Sequence, residues 1–115
     1  MDIADILRDV VDLGASDLHL AVGLPPMVRI DGELRGLDYP ELTPNKTREL
    51  VYSILNQDQR QRLETDWEVD LSYSLYGAAR FRVNAYFQRG SLSAALRTVP
   101  MNIKTVEELV LPPVV

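Results

Sequence analysis

Apolar and polar residues recur along the N-terminal part of the chain with two different periods. Residues 3–13 carry apolar side chains three and four positions apart with charged residues between them, which is typical of an amphipathic helix. Gly14 follows at the position where helices commonly end. Residues 16–22 instead alternate at every second position, as a strand does, and Asp31-Gly32 divides residues 27–35 as a two-residue hairpin turn would. The pattern predicts a helix, a strand and a hairpin in that order.

The middle of the chain carries the signals of two helices. Thr43-Pro44 combines a capping residue with a proline at the first helical position, so a helix is predicted to begin there. The predicted buried face of that helix consists of four apolar residues, Leu50, Val51, Ile54 and Leu55. A second and more polar helix is predicted for residues 57–64.

Three alternating segments occupy the C-terminal half, at residues 69–76, 81–88 and 92–99. Short turns that contain Gly77 and Gly90 separate these segments, so they are predicted to form an antiparallel meander. Together with the preceding elements, the meander predicts a single α+β domain in which helices flank an antiparallel sheet.

Composition is consistent with one globular domain. The chain has 115 residues, of which 46% are apolar and 25% charged, close to the average of folded proteins. No stretch approaches the roughly 20 apolar residues that span a bilayer. The absence of cysteine excludes disulfides and thiolate chemistry and suits the cytoplasm. A net charge of -5 argues against a nucleic-acid-binding protein.

Basic residues are concentrated in one acid-free segment. Residues 1–79 contain fifteen acids and seven bases, whereas residues 80–104 contain five bases and no acid, namely Arg80, Arg82, Arg89, Arg97 and Lys104. Arg82 and Arg97 would share a polar sheet face if their strands pair in register. Guanidinium groups without a carboxylate partner would bind an anion there. A solvated face, or ion pairs with distant carboxylates, would explain the same pattern without a ligand.

The sequence lacks the motifs of a complete active site. It contains neither the Gly-x-x-x-x-Gly-Lys-Ser/Thr phosphate loop nor the Gly-x-Gly-x-x-Gly dinucleotide motif, and its one histidine cannot form a metal cluster. Asp17 and His19 lie on one side of a predicted strand, and we interpret them as mainly structural, with His19 held by a hydrogen bond. Trp67 is interpreted as a core or interface anchor rather than a platform for a ligand.

Three blocks of sequence carry a more specific pattern. The first block reads Gly14-Ala15-Ser16-Asp17-Leu18-His19-Leu20 with Val22-Gly23-x-Pro25-Pro26-x-x-Arg29-Ile30-Asp31-Gly32. The second reads Arg80-Phe81-Arg82-Val83-Asn84-x-x-x-Gln88-Arg89-Gly90-Ser91, followed by Ala95-Leu96-Arg97 and Pro100. The third reads Glu107-Glu108-Leu109-x-Leu111-Pro112. In this order and over nearly its whole length, the chain resembles the opening of the type IV pilus retraction (twitching motility) ATPases of the secretion ATPase superfamily.

The resemblance implies a particular domain organisation. A PAS-like N-terminal domain is expected at residues 1–104, and residues 105–115 are expected to begin a linker to an ATPase core that this chain lacks. Thr105 and Glu108 have the spacing of a capping box, so the linker would open with a short helix.

The resemblance also implies an activity and surroundings for the longer parent protein. Such parents are hexameric ring ATPases that use ATP and Mg²⁺ to power pilus retraction at the cytoplasmic side of the inner membrane. The expected partners are the chain's own and neighbouring ATPase core domains and the pilus platform in the inner membrane, with no nucleic acid. The isolated chain is expected to have no cofactor and no ATPase activity, because the phosphate loop and magnesium ligands lie elsewhere.

Site residues follow from the same resemblance. Arg82 and Arg97 match the family positions whose guanidinium groups reach the nucleotide phosphates when the cleft between the N-terminal and catalytic domains closes. Arg89 matches a further motif position and is included as a candidate contact. An arginine that reaches the γ-phosphate only in the closed state would stabilise charge that develops during phosphoryl transfer. No metal ligand is expected in this chain.

Two other functions remain open at this point. A PAS-like sheet can also serve as a stand-alone sensory or protein-interaction module. A single-strand nucleic-acid binder using Arg82 and Tyr86 is less favoured, because the chain is acidic and only 7% aromatic. The DNA immediately downstream distinguishes the ATPase domain from the stand-alone module. A phosphate loop encoded there supports the ATPase, and a stop codon supports the module.

Overall fold

The computed structural model describes residues 2–75 and 79–99, which form an α+β domain. Its helices are α1 (Ile3–Asp12), α2 (Pro44–Tyr52) and α3 (Gln57–Asp66). Its strands are β1 (Asp17–Leu20), β2 (Met27–Ile30), β3 (Glu33–Gly36), β4 (Glu68–Leu75), β5 (Ala79–Gln88) and β6 (Ser91–Val99). The strands form one antiparallel sheet in the order β3-β2-β1-β6-β5-β4. None of the helices in the described residues is long and apolar enough to span a membrane.

Alternation along the strands gives the sheet an apolar face and a polar face. Leu18, Leu96 and Val83 lie side by side on the apolar face, because β1 pairs with β6 and β6 with β5 at these positions. The helices pack on this face, and one continuous core results. Its largest fully buried side chains include Phe81 from the sheet and Ile6, Leu50 and Leu63 from the three helices.

Each helix begins at a side chain that caps its first amides. The carboxylate of Asp2 accepts a hydrogen bond from the amide of Ala4 at 2.8 Å. The hydroxyl of Thr43 accepts one from the amide of Lys46 at 3.1 Å, as the sequence predicts. Asn56 and Gln59 form a reciprocal capping box at the start of α3.

Two tight turns set the register of the sheet. Asp31 and Gly32 join β2 to β3 with φ angles of 51° and 83°, and Arg89 and Gly90 join β5 to β6 with φ angles of 54° and 79°. Positive φ at both central residues matches the twist of the flanking strands in a two-residue hairpin. The second turn therefore fixes which residues of β5 and β6 lie opposite each other.

The predicted fold class and element order are confirmed, although β1 is shorter than the predicted strand at 16–22. After Leu20 the backbone leaves the sheet and pairs with a later loop. The amide of Gly23 donates to the carbonyl of Leu42 at 2.8 Å, and the amide of Leu42 donates to the carbonyl of Leu24 at 2.8 Å. These bonds replace the ladder that would have continued β1.

Two other predictions are wrong in part. Ile54 and Leu55 are buried as predicted, but they lie beyond the end of α2, where the chain turns toward the cap of α3. Trp67 is not a core residue, since it is 62% exposed. It ends α3 with a left-handed φ of 67° and contacts the ring of Phe87 edge-on at 5.4 Å. The predicted helix at residues 105–108 lies outside the described residues.

Candidate functional site

A row of polar side chains crosses five strands on the face opposite the helices. The strand pairing places Arg29 of β2 opposite Asp17 of β1, and Asp17 opposite Arg97 of β6. Arg97 in turn lies opposite Arg82 of β5, and Arg82 lies opposite Ser72 of β4. Residues directly opposite on antiparallel strands are within side-chain contact distance. The register therefore brings three guanidinium groups and one carboxylate together.

Asp17 is the acidic centre of this row. Its Oδ1 accepts a hydrogen bond from Nε of Arg97 at 3.2 Å, and its Oδ2 accepts one from the hydroxyl of Ser16 at 2.8 Å. Nε of Arg29 lies 4.0 Å from Oδ2. Burial raises the pKa of Asp17, but the bonds from Ser16 and Arg97 and the charge of Arg97 outweigh burial and leave this pKa below its ordinary value. The carboxylate is therefore charged at neutral pH.

The two central arginines differ in how they are held. Arg97 bonds to Asp17 through Nε, although its side chain stays 74% exposed. Arg82 is exposed, and within residues 2–75 and 79–99 its side chain has neither an ion pair nor a hydrogen bond. Like charges directly opposite on neighbouring strands repel each other. An anion bridging the two guanidinium groups would relieve this repulsion.

A second polar row runs beside the first, two residues further along the strands. His19 lies opposite Ala95, Ala95 opposite Asn84, and Asn84 opposite Asp70. The amide nitrogen of Asn84 donates to Oδ1 of Asp70 and to Oε2 of Glu68, both at 2.9 Å. Residues of the two rows line a shallow cavity of about 280 Å³. This cavity is the candidate site.

The structure tests the placement of the predicted site residues. The predicted sharing of one polar face by Arg82 and Arg97 is confirmed by their register. The alternative of an ion pair with a distant carboxylate holds for Arg97, whose partner is Asp17. Arg89 lies at the β5–β6 turn, seven residues after Arg82 in the sequence, and does not line the cavity. The phosphate contacts assigned to all three arginines stay predictions.

Two site residues differ from their interpretation in the sequence. His19 lines the cavity, and no hydrogen bond joins its imidazole to another residue in the described part of the chain, so the hydrogen-bonded structural role is not observed. Asp17 contacts Arg97 across 80 positions of sequence, which local patterning does not reveal. In the described ranges no group of three or more histidine, aspartate or glutamate side chains could hold a metal ion.

Sequence comparison relates the chain to proteins of the type IV pilus. No protein-family model matches it. It is 45% identical over 109 residues to the type IV pilus retraction ATPase PilT of Pseudomonas aeruginosa, matching 95% of this chain and 32% of that protein. It is 37% identical over 112 residues to the type IV pilus ATPase PilU of the same organism, matching 97% of this chain and 29% of that protein. A twitching motility protein of Neisseria gonorrhoeae is 37% identical over 87 residues, matching 76% of this chain and 23% of that protein.

Solved structures give the same relationship. A crystal structure of the pilus retraction motor PilT with bound ADP superimposes with a TM-score of 0.83 and 47% identity, covering 90% of this chain and 30% of that one. The ATPase DotB of Legionella pneumophila superimposes with a TM-score of 0.74 at 23% identity, covering 97% of this chain and 33% of that one. The DotB match shows a shared fold.

The fold of the chain is shared with part of the ATPases PilT and DotB. More particularly, the chain is homologous to the N-terminal region of the type IV pilus retraction ATPase PilT. It spans between 23% and 32% of the length of the three pilus relatives named above.

Proposed function

We propose that this chain is the arginine-donating N-terminal domain of a hexameric ATPase that powers type IV pilus retraction by ATP hydrolysis. The observation that carries the proposal is the pair formed by Arg82 and Arg97, which lie directly opposite each other on neighbouring strands. The side chain of Arg82 has no hydrogen bond or ion pair in the described residues, and that of Arg97 bonds to Asp17 through its Nε. Guanidinium nitrogens therefore remain available to bind phosphate oxygens.

The electrostatics of the row favour an anion of high charge. Arg29, Arg97 and Arg82 contribute three positive charges and Asp17 one negative charge, which leaves a net charge of +2 on the row. The chain as a whole has a net charge of -5, so this row is a local exception. A polyphosphate is a ligand whose charge is large enough to bind several guanidinium groups at once. In a closed active site, the same groups would stabilise charge on the transferred phosphoryl group.

The remainder of the catalytic machinery belongs to the parent protein in this proposal. Residues 1–104 form the PAS-like domain, and residues 105–115 lead to an ATPase core that supplies the phosphate loop and the ligands of Mg²⁺. The domain contacts its own core and a neighbouring core in the hexamer. The ring works at the cytoplasmic side of the inner membrane against the pilus platform. Arg89 is assigned an auxiliary role, because it lies outside the cavity.

One observation favours a second function, that of a sensory or protein-interaction module. A cavity of about 430 Å³ lies between α1 and the β2–β3 hairpin, and its lining includes Leu13, Val28, Ile30 and Leu37. Cavities of this size and character can hold small ligands. The reading frame downstream distinguishes the two functions. A phosphate loop within the next few dozen codons supports the ATPase, and a stop codon supports the module.

Steady-state phosphate release tests the proposed function. The purified chain is expected to release phosphate no faster than a protein-free control, whereas the parent ATPase turns over. The double variant Arg82→Ala, Arg97→Ala of the parent is expected to lose most of this activity and pilus retraction with it. Arg62→Ala is the matched control, because Arg62 is an exposed arginine of α3 that pairs with Asp58 and does not line the cavity. Equal activity in the double variant and the control would overturn the proposal.

A further inference from the structure

The candidate cavity has two chemically different ends. Arg82 and Arg97 line one end, while Asp70, Asn84 and His19 line the other. Because these rows lie two residues apart along the strands, their centres are separated by about 7 Å. A ligand that fills the cavity therefore needs an anionic group at one end and hydrogen-bond donors at the other, about this far apart.

We propose that the row of Asp70, Asn84 and His19 is the ribose subsite of a nucleoside triphosphate whose phosphates bind to Arg82 and Arg97. This inference rests on the proposed function, which supplies the nucleotide, and adds the orientation in which this domain holds it. The ribose hydroxyls face the acidic end of the cavity and the phosphates face the arginines.

Free hydrogen-bonding capacity supports this assignment. Oδ1 of Asp70 accepts from Asn84, which leaves Oδ2 to accept from a hydroxyl. Asn84 uses its amide nitrogen on Asp70 and Glu68, so its carbonyl oxygen also remains free to accept. A carboxylate that accepts from a ribose hydroxyl is a recurrent feature of nucleotide sites. Together these acceptors suit a vicinal diol.

Charge and size fix the orientation. The carboxylates of Asp70 and Glu68 repel phosphate, so the polyphosphate cannot bind the second row in place of the sugar. Ala95 lies between His19 and Asn84 in that row, and its small side chain leaves room for a sugar ring. The cavity volume of about 280 Å³ suits the sugar and adjacent phosphates, with the base extending beyond it.

The test compares three ligands at millimolar concentrations on the wild-type chain by nuclear magnetic resonance titration without metal ions, because the chain without an ATPase core is expected to bind nucleotide only weakly and to retain none after purification. These are ATP, 2′,3′-dideoxy-ATP and inorganic triphosphate. The loss of hydrogen bonds to the sugar is expected to weaken dideoxy-ATP about 3- to 10-fold relative to ATP. ATP, but not triphosphate, is expected to shift the side-chain amide resonances of Asn84.

Asp70→Ala provides the matched variant. The change removes a negative charge, which strengthens the binding of every polyphosphate alike, so the ratio of ATP to dideoxy-ATP affinity is the informative quantity. That ratio is expected to fall to about 1. Asp58→Ala removes the same charge from an exposed position on α3 and is expected to keep the wild-type ratio.

The outcomes separate this inference from the proposed function. Equal affinity of the wild-type chain for ATP and dideoxy-ATP, or no detectable binding of ATP, overturns the ribose subsite. A ratio that persists in Asp70→Ala overturns it as well. Triphosphate binding that is unchanged in Arg82→Gln and Arg97→Gln instead contradicts the arginine role in the proposed function, whatever the sugar contributes.

Discussion

The two faces of the sheet differ in how completely their side chains are partnered. On the face that packs against the helices, apolar side chains from every layer form one buried core. On the opposite face, the row through Asp17 contains three arginines and one carboxylate, and Arg82 has no ion pair within the described residues. The first face is complete within this domain. The second has the excess charge expected of a surface that binds a ligand or another domain.

Adjacent residues of β5 allow the two faces to be compared within one strand. Phe81 is fully buried on the apolar face, whereas Arg82 is exposed on the polar face. Phe81→Ala is expected to reduce the free energy of unfolding by about 3–5 kcal/mol, because it removes apolar contacts and leaves a cavity. Arg82→Ala is expected to change it by no more than about 0.5 kcal/mol. Urea unfolding of both variants checks this, and similar losses would remove the distinction between the faces.

Asp17 is the residue of the polar face that we expect to matter most for stability. Its lowered pKa means that the folded state favours the charged carboxylate. The resulting stability is present above the pKa of the unfolded chain and is lost as the pH falls through the lower folded-state pKa. Asp17→Asn is expected to lower the free energy of unfolding at pH 7 by about 1–2 kcal/mol. Unfolding measured at neutral and strongly acidic pH should show the difference vanishing in acid, and a difference independent of pH would contradict this.

Tyr39, on the side of the sheet where the helices pack, is expected to contribute less to the free energy of unfolding than Asp17. Its hydroxyl donates to Oδ2 of Asp9 in α1 at 2.7 Å, and this bond, with burial and the charge of Asp9, raises the pKa of Tyr39 to about 12. Stability from this raised pKa is complete below the ordinary value of 10.0 and is lost as the pH rises toward about 12. Tyr39→Phe is expected to cost about 0.5–1 kcal/mol at pH 7. Unfolding of both proteins across this alkaline range should show their stabilities converging.

Local sequence patterns predict much of the fold and the central contact of the site. Alternation along β5 and β6 and the two-residue turn at Arg89-Gly90 suffice to place Arg82 near Arg97, because turn length fixes the register of a hairpin. The Thr43 cap is likewise encoded by adjacent residues. Features that depend on a few neighbouring residues can therefore be predicted from this sequence.

Other features depend on contacts that no local pattern contains. The bond between Asp17 and Arg97 requires β1 to insert beside β6, a pairing between distant segments. Trp67 has the composition of a core residue, but it falls at the left-handed end of α3, which leaves its ring largely exposed. His19 was expected to be hydrogen-bonded, although its neighbour across β6 is Ala95, which has no polar side-chain atom. The surroundings of Asp17, Trp67 and His19 therefore depend on the tertiary structure, which local sequence patterns do not contain.

The central claim is that Arg82 and Arg97 act on the nucleotide rather than on folding, and paired measurements on single variants of the parent ATPase test it most directly. Arg82→Ala and Arg97→Ala are each expected to lower kcat by a factor on the order of 10–10³, with a smaller change in KM. The melting temperature of Arg82→Ala should stay close to wild type, and that of Arg97→Ala should fall only by the share of its one bond to Asp17. Arg62→Ala is the control for both quantities. A clear fall in melting temperature with near-normal kcat in the folded protein would show that the arginines are structural and contradict this account.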